Sequence, residues 1–193
     1  LLMESMSEAS RAIRAEGEKK LECLGMGTTA AVALVTSRHA HVAYMGDSRV
    51  YLLRGGEIRL LTEDHSIVGA LLRHGEISPQ EAVDHPARGR LTRFVGMEMD
   101  VEPGGLTLAL EAGDRLLLCT DGLWGMVGDA KLCEILSARD DSEITCQDLI
   151  AVGKAAGGED NLTAVVTDIY ESEQRDGDLF FHEFPPPRRL WKA

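Results

Sequence analysis

The stretch RLLLCTDGLWGMV, residues 115–127, constrains this chain most. Leu116, Leu117, Leu118 and Cys119 form an apolar run that reads as a buried strand, and it stops on Thr120-Asp121-Gly122. A carboxylate at the rim of a buried sheet needs a partner for its charge. Two other acidic residues share that context. Asp47 follows HVAYMG and precedes Ser48-Arg49, and Asp160 lies between Gly157-Gly158-Glu159 and the apolar run NLTAVVTDI. Each has a glycine within three residues, which lets backbone approach closely.

Hard divalent cations such as Mg²⁺ or Mn²⁺ prefer oxygen ligands and retain several waters. Three aspartates at strand ends therefore form a coherent metal-site hypothesis, in which Gly122 would leave room for the cation's waters. Each residue also has a simpler explanation on its own. Asp-Gly is a common turn dipeptide. Asp47 could cap a turn or pair with Arg49, and Asp160-Asn161 could be a loop with local side-chain bonds. No zinc spacing, HExxH, phosphate-cradling loop or Ser-His-Asp arrangement stands out.

Around these positions the pattern is α+β. Leu2, Met6, Ala9 and Ile13 recur at helical spacing, which predicts an amphipathic helix to about residue 20. TTAAVALVTS reads as a strand buried on both faces, and HAHVAYMGD as a second strand with His39 and His41 turned to solvent. VYLLR and EIRLL flank Gly55-Gly56 as a hairpin. Ser66 can cap a helix ended by Gly75, and Ser78-Pro79-Gln80-Glu81 is a capping box stopped by His85-Pro86. LTLAL and RLLLC return to sheet, Asp129 and Thr145 open helices, and the segment from residue 171 on, with PPPRR, reads as a tail.

The 193 residues suit one domain with a real core. The net charge of −12 repels nucleic acid and anionic lipid. No apolar run is long enough to span a membrane. The opening LLMESMSEAS lacks a basic start and a continuous apolar stretch, so no export signal is expected, and Cys23, Cys119, Cys133 and Cys146 are expected as reduced thiols in a cytoplasm.

Six blocks in order carry a resemblance: GMGTT (25–29), GDSRVYLLR (46–54), LTEDHS (61–66), HPARGRLTRFVG (85–96), GDRLLLCTDGLWGMV (113–127) and GGEDNLTAVV (157–166). Together they resemble the bacterial metal-dependent Ser/Thr protein phosphatases of the type 2C (PPM) family. The resemblance implies an α+β fold, a two-sheet antiparallel β-sandwich flanked by helices, over residues 1–170, with 171–193 as tail or linker. It implies Asp121 and Asp160 as ligands of one ion in a binuclear Mg²⁺ or Mn²⁺ centre, and Asp47 with Asp121 at a third, weaker metal. Residues 66–86 match a mobile flap, which makes Ser66, His74 and His85 candidates near the substrate.

The implied chemistry is hydrolysis of phosphoserine and phosphothreonine in proteins by a metal-activated water, opposing a Ser/Thr kinase. The family also carries an upstream Arg, an Asn-Glu-Asp stretch and an Asp-Gly-x-Gly-Gly block. The chain starts after these, so it is expected to be N-terminally truncated, to lack the first strands, and to be nearly inactive alone. The alternative is a non-catalytic pseudophosphatase that binds phosphoproteins. Oligomeric state is left open.

Overall fold

β-Branched and leucine-rich segments separated by glycine turns build two antiparallel sheets in a computed structural model that describes residues 1–158 and 160–171. The first sheet has the order β1 (Ala30–Val35), β2 (His39–Met45), β5 (Gly104–Ala109). The second has the order β4 (Glu57–Leu60), β3 (Arg49–Arg54), β6 (Arg115–Cys119), β7 (Ala164–Asp168). The expected tail residues Phe180, Phe181, Phe184 and Trp191 lie outside the described residues, as does Glu159.

The consequential feature is the connection from β2 to β3. These strands are three residues apart yet belong to different sheets, so Gly46-Asp47-Ser48 crosses the sandwich edge. A two-sided pattern explains the crossing. Ala40, Val42 and Tyr44 of β2 face Val50 and Leu52 of β3 and Leu116 of β6 across the sandwich interior. Gly46 makes the turn at φ 111°. In contrast, Gly55 and Gly56, at φ 58° and 81°, close β3 onto β4 as an ordinary hairpin with Arg54 opposite Glu57.

Helices cover both outer faces. α1 (Leu2–Lys19) lays Met6 and Ile13 on Ala43 and Met45 of the first sheet. α4 (Asp121–Val127), α5 (Asp129–Ala138) and α6 (Ser142–Ala155) bury Leu123, Leu132, Leu136 and Leu149 on Tyr51, Leu117 and Cys119 of the second. α2 (Ile67–His74) and α3 (Pro79–Val83) sit between β4 and β5 in sequence. Ser66 caps α2 by accepting from Gly69 N, Gly75 ends it in the left-handed region, and Ser78 and Glu81 make the expected reciprocal box.

Three expectations change. β1 is not buried on both faces: Val32 and Leu34 are 41% and 44% exposed. It is an edge strand among the described residues, and α1 covers only the Ala43–Met45 end of that sheet. Asp121 opens α4 rather than a plain turn. The last helix starts at Ser142, capped by Asp141, and not at Thr145. Thr145 is fully buried and donates to the Asp141 carbonyl at 2.7 Å. It reads as a cap from sequence because its hydroxyl satisfies backbone one turn inside the helix instead.

At the end of the sandwich remote from Asp47, Arg54 grips Asp114 through two N–H groups at 2.7 and 2.6 Å. Burial opposes ionisation of Asp114, but the Arg54 hydrogen bonds and the Glu111 N–H outweigh it and hold its carboxyl below the usual range. A depressed folded-state value stabilises the fold above the unfolded carboxylate value of about 4, and that contribution fades as pH falls through the folded value. Urea midpoints below pH 4 are therefore expected to fall more steeply for the parent chain than for Asp114→Asn. Identical slopes would remove this pair from the acid response.

Candidate metal centre

Antiparallel registry places Arg49 opposite Cys119 and Cys119 opposite Ala164, so β3, β6 and β7 end in one row. Asp47-Ser48, Thr120-Asp121 and the 160–163 segment all lie just beyond that row. Thr120 fastens the last two together. Its N–H donates to Thr163 O at 3.3 Å, and its hydroxyl donates to Asn161 O at 3.0 Å and accepts from Thr163 N at 3.1 Å. The seam is so close that a Cβ on Gly122 would meet Asn161 O at 2.5 Å and Asp160 Cβ at 3.3 Å.

Asp121 and Asp160 are therefore neighbours, and the role of Gly122 differs from the expected one. The space it leaves is filled by the 160–161 backbone, and that is what brings the second aspartate to the first. Asp121 Oδ1 accepts from Gly122 N at 3.0 Å, and Asp160 Oδ1 from Asn161 N at 2.6 Å. Each carboxylate is thus oriented through one oxygen.

Asp47 is 7% exposed. Burial first, then the carboxylates of Asp121 and Asp64, push its carboxyl up to about 6, against weaker opposition from its own N–H and from Arg49. A buried acid beside a second carboxylate is an environment whose charge a divalent cation would offset. The donors are all hard oxygens, as Mg²⁺ and Mn²⁺ require. Among the described residues no three His, Cys, Asp or Glu side chains gather tightly enough to enclose a metal. The three aspartates by themselves therefore do not enclose a cation, and an ion held there would need water or further oxygen ligands.

Sequence reasoning missed what stands behind Asp47. Arg49 does not pair with Asp47; it forms a two-pronged bond with Asp64 at 2.9 and 2.7 Å and donates to Tyr51 Oη at 2.8 Å. Tyr51 Oη in turn donates to Asp129 at 2.8 Å. The guanidinium lies 3.4 Å from the ring centroid of Trp124, whose Nε1 donates to the Asp47 carbonyl at 2.9 Å. No sequence signal links positions 49, 64 and 124, because the contacts join β3, the loop after β4 and α4. Ser48 Oγ is paired with Thr29 Oγ1 at 2.8 Å.

Gly46 is packed under the same threonine, whose Cγ2 would stand 2.4 Å from an added Cβ. Gly46→Ala combines that clash with a left-handed φ. It is expected to cost about 2 kcal/mol or more in unfolding free energy. An urea midpoint within error of the parent would show that the turn tolerates a side chain.

The three flap candidates have local duties. Ser66 Oγ caps α2. The His74 ring lies at the surface, 3.8 Å from Glu76. His85 Nδ1 accepts from Ala87 N at 3.1 Å. None of these bonds or ion pairs is made to the three aspartates.

A helix-covered two-sheet sandwich with carboxylates gathered at one rim is the class of protein that fold and site define. Residues 1–69 match the family model described as Protein phosphatase 2C. The chain is 38% identical over 167 residues to the serine/threonine phosphatase stp of Listeria innocua, covering 86% of this chain and 66% of that protein. It superposes on the crystal structure of serine/threonine phosphatase Stp1 from Staphylococcus aureus with a TM-score of 0.84 at 30% identity, over 88% of this chain and 67% of the other. A further match, at 35% identity and TM-score 0.80 over 88% of this chain and 70% of the other, is the catalytic domain of phosphatase PstP in complex with two manganese ions. The chain belongs to the protein phosphatase 2C family. It spans about two thirds of the length of the curated relatives it matches.

Proposed function

We propose that the protein carrying this chain hydrolyses phosphoserine and phosphothreonine in proteins with the help of Mn²⁺ or Mg²⁺. The observation that carries the reading is the seam that sets Asp160 against Asp121-Gly122, with Asp47 across the sandwich edge. In this reading Asp121 and Asp160 hold one ion, and Asp47 with Asp121 holds a weaker one. When bound, the ions would lower the pKa of a shared water and screen charge on the phosphoryl oxygens.

The chain's own residues orient the ligands. Thr120 holds the two aspartate segments in register, and backbone N–H groups fix one oxygen of each carboxylate. Ser48 and Thr120 are not nucleophiles in this scheme, since their hydroxyls bond Thr29 and the 161–163 backbone. A solved relative in complex with two manganese ions supports a divalent cation at this site. No observation favours the non-catalytic binding module.

Residues 1–170 would be the phosphatase domain and 171–193 a tail. Substrates would be products of a Ser/Thr kinase. A signalling role in the cytoplasm completes this reading, and no helix among the described residues is long and apolar enough to cross a membrane. The test is metal removal: hydrolysis of a phosphothreonine peptide is expected to stop with EDTA and to return with Mn²⁺. Turnover that ignores chelation would overturn the proposal.

A further inference from the structure

Asp47 lies in a turn between two sheets, outside the ladder of either. Its main-chain carbonyl is therefore not held by a strand partner, and a side chain holds it instead. That side chain is Trp124, on α4 one turn after Asp121, whose indole N–H reaches the carbonyl at 2.9 Å. Its ring face carries the Arg49 guanidinium at 3.4 Å. Arg49 grips Asp64, and the Asp64 carbonyl accepts from Arg73 of α2 at 3.0 Å. One indole thus joins the helix of Asp121, the turn of Asp47 and the base of α2.

We propose that Trp124 is a positioning residue of the metal rim: its N–H holds the Asp47 turn beside Asp121, and its face ties that turn through Arg49 and Asp64 to α2. The need for such a holder is electrostatic. Two carboxylates brought together without a cation repel, and the other ties of the turn, Gly46 to His65 and Ser48 to Thr29, flank Asp47 without holding its carbonyl. A directional bond to the carbonyl opposes that repulsion, and a rigid indole makes it at little entropic cost. The stack with Arg49 fixes the ring plane, and with it the direction of the N–H. The inference rests on the reading of Asp47 and Asp121 as metal ligands.

The test measures Mn²⁺ binding by the full-length protein that carries this chain, from the electron paramagnetic resonance of free Mn²⁺. Trp124→Phe keeps an aromatic face for Arg49 and removes only the N–H. It is expected to weaken Mn²⁺ binding about five- to tenfold, the scale of one lost hydrogen bond. Its effect is expected to vanish in an Asp47→Asn background, because both changes act through the same turn. A purely structural indole would lower thermal stability without that non-additivity.

A second measurement needs no variant at position 124. In a variant of that protein whose tryptophans other than Trp124 are replaced by phenylalanine, Trp191→Phe included, Mn²⁺ is expected to quench the remaining indole emission with the midpoint of the resonance titration. Binding by Trp124→Phe within twofold of the parent, full additivity with Asp47→Asn, or emission indifferent to bound Mn²⁺ would each overturn the inference alone. A parent chain that binds no Mn²⁺ would overturn the metal reading and this inference together.

Discussion

Replacing Asp121 by asparagine in the full-length protein that carries this chain is expected to lower Mn²⁺-dependent hydrolysis of a phosphothreonine peptide by on the order of a thousandfold, the effect of several kcal/mol at the reacting centre. The substitution changes charge but not shape. Its amide oxygen can still accept from Gly122 N, and the seam made by Thr120 involves no Asp121 atom. The fold is therefore expected to survive. In the metal-free protein it should be no less stable, because Asp121 is one of the charges that disfavour ionisation of the buried Asp47.

Lost turnover with retained stability separates a ligand from a structural residue. Asp160→Asn is expected to behave in the same way, since its one bond to Asn161 N is equally available to an amide oxygen. Unchanged turnover in either variant, with the protein folded, would remove that residue from the metal site.

Arg115→Met should have the largest effect on stability. Arg115 is 6% exposed on β6, directly opposite Asp168 of β7, with which it forms an ion pair. It also donates to the Leu136 carbonyl at 2.6 Å and the Asp140 carbonyl at 3.1 Å. It therefore joins the second sheet to the end of α5 and the loop before α6. Methionine fills similar volume but leaves Asp168 charged and those carbonyls without their donor. Removing one partner of a buried pair costs about 3–5 kcal/mol. For a chain of this size that corresponds to a melting temperature lower by roughly 10 °C.

The companion variant Arg115→Met/Asp168→Leu should recover much of the loss, because no buried charge is then left unpaired. A loss below about 1 kcal/mol in the single variant would mean that water reaches Asp168.

Local patterns carried much of the fold. The Gly55-Gly56 hairpin, the Ser66 and Ser78 caps, the Gly75 stop and the amphipathic α1 each depend on residues within one or two turns of chain. β1 was misread because a run of apolar residues states what could be buried and not whether anything covers it. α4 was misread because Asp-Gly suits both a turn and the first turn of a helix, and burial of Leu123 against the second sheet settles the choice. At the site, the three aspartates were legible as strand-end carboxylates next to glycines. The clamp of Arg49, Asp64 and Trp124 was not, since its members come from three distant segments and carry no spacing rule.

The order of elements, the turn chemistry and the identity of the candidate ligands were thus determined by the amino-acid sequence itself, because those properties are local. Only the tertiary structure decided that β2 and β3 part into different sheets, that Gly122 admits the 160–161 backbone, and that Asp47 feels the charge of Asp121. Those outcomes depend on how two sheets share one core. A carboxylate's partners and electrostatic environment are properties of the packed chain, not of its neighbours in sequence.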